Sequence, residues 1–377
     1  MPSRDRRGRH TTDPILARGH LRRGHWVAQV VDSRLRGRDF LSIADLDAST
    51  CRQVLDLARR QKAGEDPGRP LSGRTVAMVF LRPSNRTRVS FEVAINRLGG
   101  HPVALFDREI EMGRRESVAD VARILDRFVD GLVARIPSHR DLLGLADHMR
   151  VPVINAMTDL GHPCQVLADC LSLEESAGRI AGARVTFIGD GNNVCASWIE
   201  AAELLGIDLT VVTPEGYEPS PSVLARAAGL APADAPAGAA DAPPGVRVTH
   251  DLADGLERCD IVYTDVWTSM GQEAEHEQRR QDFGPYQVNA DLLRLAPPTC
   301  RVMHCLPAHR GEEITDEVLD GPQAIVFEQA ENRLWVQQAL LCAIFSGSAE
   351  PGGPGHRLPA AVSGAVGPDR REDQGPT

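Results

Sequence analysis

Short apolar runs alternate with stretches of helical periodicity along most of the chain, which is the pattern of parallel sheets covered by helices. The runs "TVAMVFL" (75–81), "PVALF" (102–106), "GLVARI" (131–136), "PVINA" (152–156) and "RVTFIG" (184–189) predict strands, as do "DLTVVT" (208–213), "IVYTDV" (261–266), "RVMHCL" (301–306) and "AIVF" (324–327). Apolar spacing of three and four predicts helices over 46–63, 86–99, 117–128, 163–175, 193–206, 313–320 and 329–345. That many strands suit two α/β sheets better than one. The stretch "LARAAGLAPADAPAGAADAPPG" (224–245) interrupts the pattern and predicts a surface excursion within the second sheet. No internal repeat of fixed period is visible.

The ends differ from the middle. Residues 1–34 are rich in arginine but carry Asp5, Asp13 and Asp32 and lack the apolar core of a secretory signal, so they predict a poorly ordered extension, with an organelle-targeting peptide as the alternative. Residues 346–377 are rich in glycine and proline with little to bury and predict a disordered tail. The 377 residues exceed the roughly 250 to 300 that one core accommodates, so two domains are expected between these ends.

Composition narrows the function. Hydrophobic residues make up 42% and charged residues 25%, and no apolar run approaches the roughly 20 residues of a membrane span, so no integral membrane role is expected. A net charge of −10 offers no general attraction to nucleic acid, so a bound anion must be held by locally placed arginines. The eight cysteines form no C-x-x-C pair and several sit in apolar runs, which fits reduced thiols in a cytoplasm.

The candidate anion site is "FLRPSNRTRVSFE" (80–92), in which a buried strand turns into an amphipathic helix whose inward face is read as Val89, Val93 and Ile95 or Leu98. Free N–H groups at the helix start, the hydroxyls of Ser84 and Thr87, and the fork of Arg86 suit a phosphate. The same string also reads as an N-cap followed by solvated arginines. Arg135 closes a strand, where open parallel sheets place their ligand crevice, although it also reads as a surface residue. His162 and Gln165 lie three apart at a helix start and can donate to one carbonyl oxygen; a structural histidine is the alternative.

"RVTFIGDGNNVCASW" (184–198) has the strand, tight turn and helix of a dinucleotide site, but Val194 replaces the third glycine and no acidic residue ends the next strand. Asn192 and Asn193 at that helix mouth suit a small zwitterion instead. Asp265 ends a strand, where a carboxylate can hold an ammonium, and Ser269 and Met270 follow in a glycine-ended loop. Cys305 ends another strand and is functional only if it lies close to Asp265. Arg333 is read on the first turn of the last helix, aimed at a carbonyl oxygen or at solvent.

Eight segments in order, "SNRTRVSFE", "GRRESVADVARIL", "HPCQVLAD", "GDGNNV", "TPEGYEP", "TDVWTSMG", "HCLPAHRG" and "AENRLW", resemble those of the ornithine carbamoyltransferases, from about Leu35 to Phe345. The first and third occur across carbamoyltransferases generally, whereas "SMG" and "HCLP" point to ornithine. The resemblance implies an α/β protein of two Rossmann-like domains, each a parallel sheet flanked by helices. A carbamoyl-phosphate-binding domain at 35–163 would be completed by helix 329–345 returning to it, and 164–328 would bind the amino acid. It further implies a homotrimer and chemistry without metal or organic cofactor.

By position, the resemblance implies that Ser84, Asn85, Arg86, Thr87 and Arg135 hold the phosphate, and that His162 and Gln165 bind the carbamoyl group. Asn193, Asp265, Ser269 and Met270 would hold ornithine; Cys305, the Leu306 carbonyl and Arg333 would surround the reacting amine and the carbonyl oxygen. Arg86, His162, Asp265, Cys305 and Arg333 are the implied catalytic set. Two positions depart from the family pattern: Asn85 stands where threonine is usual, with altered affinity expected, and Val121 stands where threonine is usual, without a functional account. The competing readings are transfer to another amine (lysine, putrescine or another diamine), an NAD-dependent dehydrogenase, and a non-catalytic binding relative.

Overall fold

The computed structural model describes residues 33–230, 245–269 and 272–346. The expectations for the two tails, for most of the alanine-rich stretch 224–245 and for Met270 therefore lie outside the described residues.

Two parallel sheets carry the structure. In the first, β1 (Thr75–Phe80), β2 (His101–Phe106), β3 (Gly131–Arg135) and β4 (Val153–Met157) lie in the order β2-β1-β3-β4. In the second, β5 (Arg184–Ile188), β6 (Asp208–Val212), β7 (Val246–Thr249), β8 (Ile261–Thr264) and β9 (Arg301–His304) lie in the order β7-β6-β5-β8-β9. Each order reverses direction once, between β1 and β3 and between β5 and β8. At such a reversal the crossovers diverge to opposite faces and leave a crevice beyond the strand ends. Ser84 and Arg86 follow β1, Arg135 ends β3, Asn192 and Asn193 follow β5, and Asp265 follows β8. Both crevices are thus lined by residues singled out from the sequence.

The longer helices are α1 (Ala48–Lys62), α2 (Asn85–Arg97), α3 (Val118–Leu125), α4 (His139–His148), α5 (Pro163–Ala177), α6 (Asn193–Leu205), α7 (Pro221–Ala228), α8 (His276–Phe283) and α9 (Val326–Phe345). The last of these leaves the second sheet and packs on α1, α2 and α5. Its end docks at the beginning of the first sheet: Gly37 N donates to Ile344 O at 3.0 Å, and the Phe345 ring lies 2.5 Å from where a Cβ on Gly131 would stand. Any side chain at 131 would push that ring out. One cluster of buried apolar side chains runs from Phe40 and Met78 through α5 to Trp198 and on into α9, so both sheets share it.

Several local expectations are corrected. The inward face of α2 is Thr87, Phe91, Ala94 and Ile95, followed by Leu98, whereas Val89 is 49% exposed and Val93 only half-buried. Residues two positions apart on a helix point about 200° away from each other, so a stripe anchored on Thr87 puts Val89 on the opposite side. "AIVF" is not a strand: Ala324 makes a single bridge to Val302 and α9 begins at Val326. The strong helical pattern that follows captures the run, and Arg333 consequently lies two turns into α9 rather than on its first turn. The ninth strand is instead "VRVT" at 246–249, an edge strand with Arg247 exposed. The helix expected over 313–320 shrinks to Asp316–Leu319, and α4, α7 and α8 were not expected.

Candidate active site

A cavity of about 930 Å³ lies between the two crevices, lined from both sheets by Ser84, Asn85, Arg86, Thr87 and Arg135 on one side and Asn193, Asp265, Ser269, Cys305 and Leu306 on the other. His162, Gln165 and Arg333 line it too.

Its arginine-rich half grows from the β1-to-α2 turn. Ser84 caps α2, its Oγ accepting from Thr87 N at 3.3 Å, so capping and cavity lining coexist and the hydroxyl hydrogen remains available to donate. Three guanidiniums converge there from separate parts of the fold, and the Nε atoms of Arg86, Arg135 and Arg333 are all buried without a hydrogen-bond partner. Arg333 donates through Nη2 to Thr87 Oγ1 at 2.6 Å, which ties α9 to the anion turn. Burial lowers the pKa of each guanidinium. For Arg135 it falls to about 10, with Arg333 and then Arg86 adding repulsion; Arg333 is lowered by burial and by Arg86. Like charges gathered away from water, with donors left open, are costly until a counter-ion arrives. Asn85 Oδ1 meanwhile accepts from Arg86 N at 2.7 Å and occupies a backbone donor of the turn.

Next to the arginines, His162 precedes α5 and its own N–H donates to Ser197 Oγ at 2.9 Å. Burial and the three neighbouring arginines hold the His162 pKa well below the usual imidazole range, so the ring is neutral at pH 7, and its Nδ1 is buried without a partner. Gln165 corrects the expectation that it donates to a carbonyl oxygen. Its Nε2 donates to Asp169 Oδ1 at 2.8 Å, leaving its Oε1 buried and unpartnered. The Asp169 carboxylate also accepts from Gln329 Nε2 and the Tyr263 hydroxyl, and burial pushes its pKa up to about 6, so it is ionised at neutral pH and acts only as an acceptor. Gln165 therefore offers the cavity an acceptor, suited to an N–H donor. Asp169 was missed, although its place four residues on from Gln165 in "QVLAD" is the spacing at which helix neighbours meet.

On the other side, Asp265 gathers three donors: Cys305 Sγ at 2.9 Å and Val266 N at 2.8 Å to Oδ1, and Asn192 Nδ2 at 2.8 Å to Oδ2. The closeness required of Cys305 is thus present. Burial, and then the Asp265 charge, raise the Cys305 pKa well above the ordinary thiol value, so it is a thiol and not a thiolate. Asn193 donates to Thr158 O at 2.6 Å, which leaves its Oδ1 as acceptor. Leu306 has φ +57°, a left-handed conformation costly for a branched side chain. The turn is held by Leu306 N donating to His304 Nδ1 at 2.8 Å, while His304 Nε2 donates to the wholly buried Glu313 at 3.0 Å.

Arg279, also missed, has one local partner in Glu275, four residues before it, but its other bonds reach Trp267 and Asp190, to which no local pattern ties it. It donates to Asp190 Oδ2 at 3.0 Å, Trp267 O at 2.9 Å and Glu275 Oε2 at 2.9 Å, and stacks 5.0 Å from the Tyr217 ring centre. One buried side chain thereby fastens the turn after β5, the loop after β8 and α8. Ligand-type atoms of Asp265, His304 and Cys305, and of His309, Glu312 and Glu313, lie within 4.8 Å of one another, but several are already engaged in the hydrogen bonds just described. Gly191 lines the cavity, and the backbone of Glu218 and Pro219 sits 2.4 to 2.7 Å from where a Cβ on it would be, so this position admits only glycine.

Comparison with known proteins gives the same answer. Residues 38–175 match the family model described as the aspartate/ornithine carbamoyltransferase carbamoyl-P binding domain, and residues 181–344 the corresponding Asp/Orn binding domain. The chain is similar to a Pyrococcus furiosus protein named anabolic ornithine carbamoyltransferase (46% identity, 83% of this chain and 98% of the relative). It is similar to the ornithine carbamoyltransferase of Symbiobacterium thermophilum at the same identity (83% and 99%). The solved structure of the Pyrococcus furiosus ornithine carbamoyltransferase superposes with a TM-score of 0.77 at 46% identity, covering 84% of this chain and 99% of that one. An N-acetyl-L-ornithine transcarbamylase structure superposes at 0.72 with 30% identity (81% and 99%). With two parallel sheets meeting at an arginine-lined cavity and both family models matched across most of its length, the chain belongs to the aspartate/ornithine carbamoyltransferase family.

Proposed function

We propose that the protein transfers the carbamoyl group of carbamoyl phosphate to the side-chain amine of ornithine, giving citrulline and phosphate for arginine biosynthesis. The observation that carries this reading is the convergence of three buried guanidiniums with unpartnered Nε atoms beside an unpartnered His162 Nδ1 and Gln165 Oε1. That set is complementary to a dianion bearing a planar amide. Ser84, Asn85, Arg86, Thr87 and Arg135 hold the phosphate; Gln165 accepts from the carbamoyl N–H; His162 and Arg333 serve the carbonyl oxygen. Asn193 and Asp265 take the α-ammonium, and Ser269 and Met270 take the α-carboxylate. The boundaries 35–163 with 329–345, and 164–328, describe the two domains in this reading.

The neutral amine attacks the carbonyl carbon, negative charge develops on the oxygen beside Arg333 and His162, and the intermediate collapses with loss of phosphate. Fixed donors aimed at that oxygen favour the transition state because they need no reorganisation. The amine nitrogen loses a proton, for which Cys305 and Asp265, joined at 2.9 Å, are the relay. With a reference amine pKa near 10.4, deprotonation at pH 7 costs about 4 to 5 kcal/mol, so the rate rises toward alkaline pH. The test is purified protein with carbamoyl phosphate and a panel of amines, with ureido product and phosphate followed together from pH 6 to 9. Turnover with lysine, putrescine or N-acetylornithine but not ornithine overturns the acceptor and keeps the chemistry; no turnover with any amine overturns both.

A homotrimer is proposed from the family resemblance and is supported by exposed apolar side chains on helices of the first domain and just beyond them: Val89, Ile124, Leu143 and Phe128, the last 74% exposed. Cytoplasmic residence is proposed on eight free cysteines and on the absence, among the described residues, of a helix long and apolar enough to cross a membrane.

Two variants test the assigned positions. Asn85→Thr frees the Arg86 N–H and is expected to tighten carbamoyl phosphate binding about two- to fivefold by calorimetry, the scale of one modest hydrogen bond; weaker binding would show that the amide itself holds the phosphate. Arg279→Met unfastens the amino-acid half and is expected to raise the ornithine KM about tenfold or more while carbamoyl phosphate affinity stays within twofold, with Arg279→Lys recovering part of the loss. Equal losses for both substrates would mean a general effect on folding.

A further inference from the structure

Strands β8 and β9 bring Asp265 and Cys305 together beyond their C-terminal ends, and the same two strands begin beside a second pair of sulfurs. Cys259 lies two residues before β8 and Cys300 one residue before β9. Ile261 pairs with Arg301, and Arg301 N donates to Asp260 O at 3.0 Å, so these segments are already tied through the backbone. The two Sγ atoms are 3.3 Å apart although the residues are 41 positions apart in sequence, and both are buried, at 3% and 0% exposure. No other pair of thiols among the described residues is joined by a hydrogen bond.

We propose that Cys259 and Cys300 form a redox-active dithiol that closes to an intramolecular disulfide, stapling the start of β9 to the start of β8. The oxidant is a small disulfide of the glutathione class. Cys259 sulfur attacks one sulfur of that disulfide, forming a mixed disulfide and releasing one thiol; Cys300 sulfur then displaces the second thiol. Two protein S–H bonds and one external S–S bond are lost, and one internal S–S bond and two external S–H bonds form. Either S–H can donate to the other sulfur across the 3.3 Å gap, so the same disulfide forms if the two cysteines exchange roles. β9 is the outermost strand of its sheet, bridged on its far side only at Ala324, so the two thiols are reached by local opening of β9 from the apolar cluster in which both sit. A strand of four residues spans about 13 Å, which separates this chemistry from Asp265 and Cys305 at the far ends.

The experiment refolds the full chain from denaturant in buffer containing oxidised glutathione, alkylates the remaining thiols and maps tryptic peptides without reduction. Cleavage at arginine places Cys259 in peptide 259–279, Cys300 in 295–301 and Cys305 in 302–310, so the linkage is read directly. The expected result is a linked 259–279/295–301 pair, absent from both Cys259→Ser and Cys300→Ser, with Tm about 5 to 10 °C above the reduced protein. Either variant alone suffices if the other fails to fold, and the wild-type map needs neither. Both peptides alkylated, Cys259 linked to 302–310, or an unchanged Tm in the linked protein would overturn the proposal.

Discussion

Arg135→Leu is expected to weaken carbamoyl phosphate binding about 10²- to 10³-fold and at the same time to raise the melting temperature of the free protein by a few degrees. The two effects share one cause. Arg135 is 9% exposed, its Nε has no partner, and its pKa is depressed to about 10 by burial and by Arg333 and Arg86. A cation whose pKa is lowered on folding is charged at pH 7 at the expense of the folded state, by about 3 kcal/mol for a shift of this size. Leucine removes that penalty at pH 7. It also leaves a buried phosphate short of one partner, which costs about 3 to 5 kcal/mol of binding. Calorimetric titration and thermal unfolding of the free protein check both signs. A lower Tm with affinity retained would mean that the guanidinium braces the fold and binds nothing.

Arg333→Ala is expected to reduce kcat about 10²- to 10³-fold, with a smaller loss in carbamoyl phosphate affinity. Arg333 is 3% exposed and reaches the anion turn by its bond to Thr87 Oγ1. A donor that meets charge developing on the carbonyl oxygen acts more strongly on the transition state than on the bound substrate, so its loss appears mainly in kcat. Arg333→Lys restores little, because a single ammonium cannot both hold Thr87 and face the oxygen as a planar fork does. Steady-state kinetics with a separate binding titration distinguishes the two terms; a kcat within tenfold of wild type would take Arg333 out of reach of the reacting carbonyl.

The place of Ser84 to Thr87 at the cavity was legible because they are contiguous: the four residues occupy one strand-to-helix turn, which the end of the run "TVAMVFL" marks, although the string by itself reads equally as an N-cap. The positions of Arg135 and Asp265 were legible because apolar runs mark strand ends, and strand ends mark crevices. What failed did so for physical reasons. "AIVF" and "VRVT" are both four-residue β-prone runs, and only tertiary pairing decides that one becomes a strand and the other a bridge leading into a helix. Val89 was placed inward because the phase of a short helix depends on where it starts. The direction in which Gln165 presents its amide depends on Asp169, and the posture of the amino-acid loops on Arg279, whose bonds reach residues as far as 89 positions away. The Gln165–Asp169 spacing was a local signal that went unused, whereas the remote partners of Arg279 have no local pattern to betray them.

The last helix gives the protein a schedule as well as a shape. Arg333 reaches the cavity and bonds Thr87, Phe345 fills the space over Gly131, and the apolar side chains of α9 belong to the cluster that begins at Phe40. During synthesis, the first sheet emerges from the ribosome well before the segment that covers one of its faces, and it must wait with apolar surface exposed while the whole second sheet is made. The cavity therefore lacks Arg333 until α9 has followed the whole second sheet out of the ribosome.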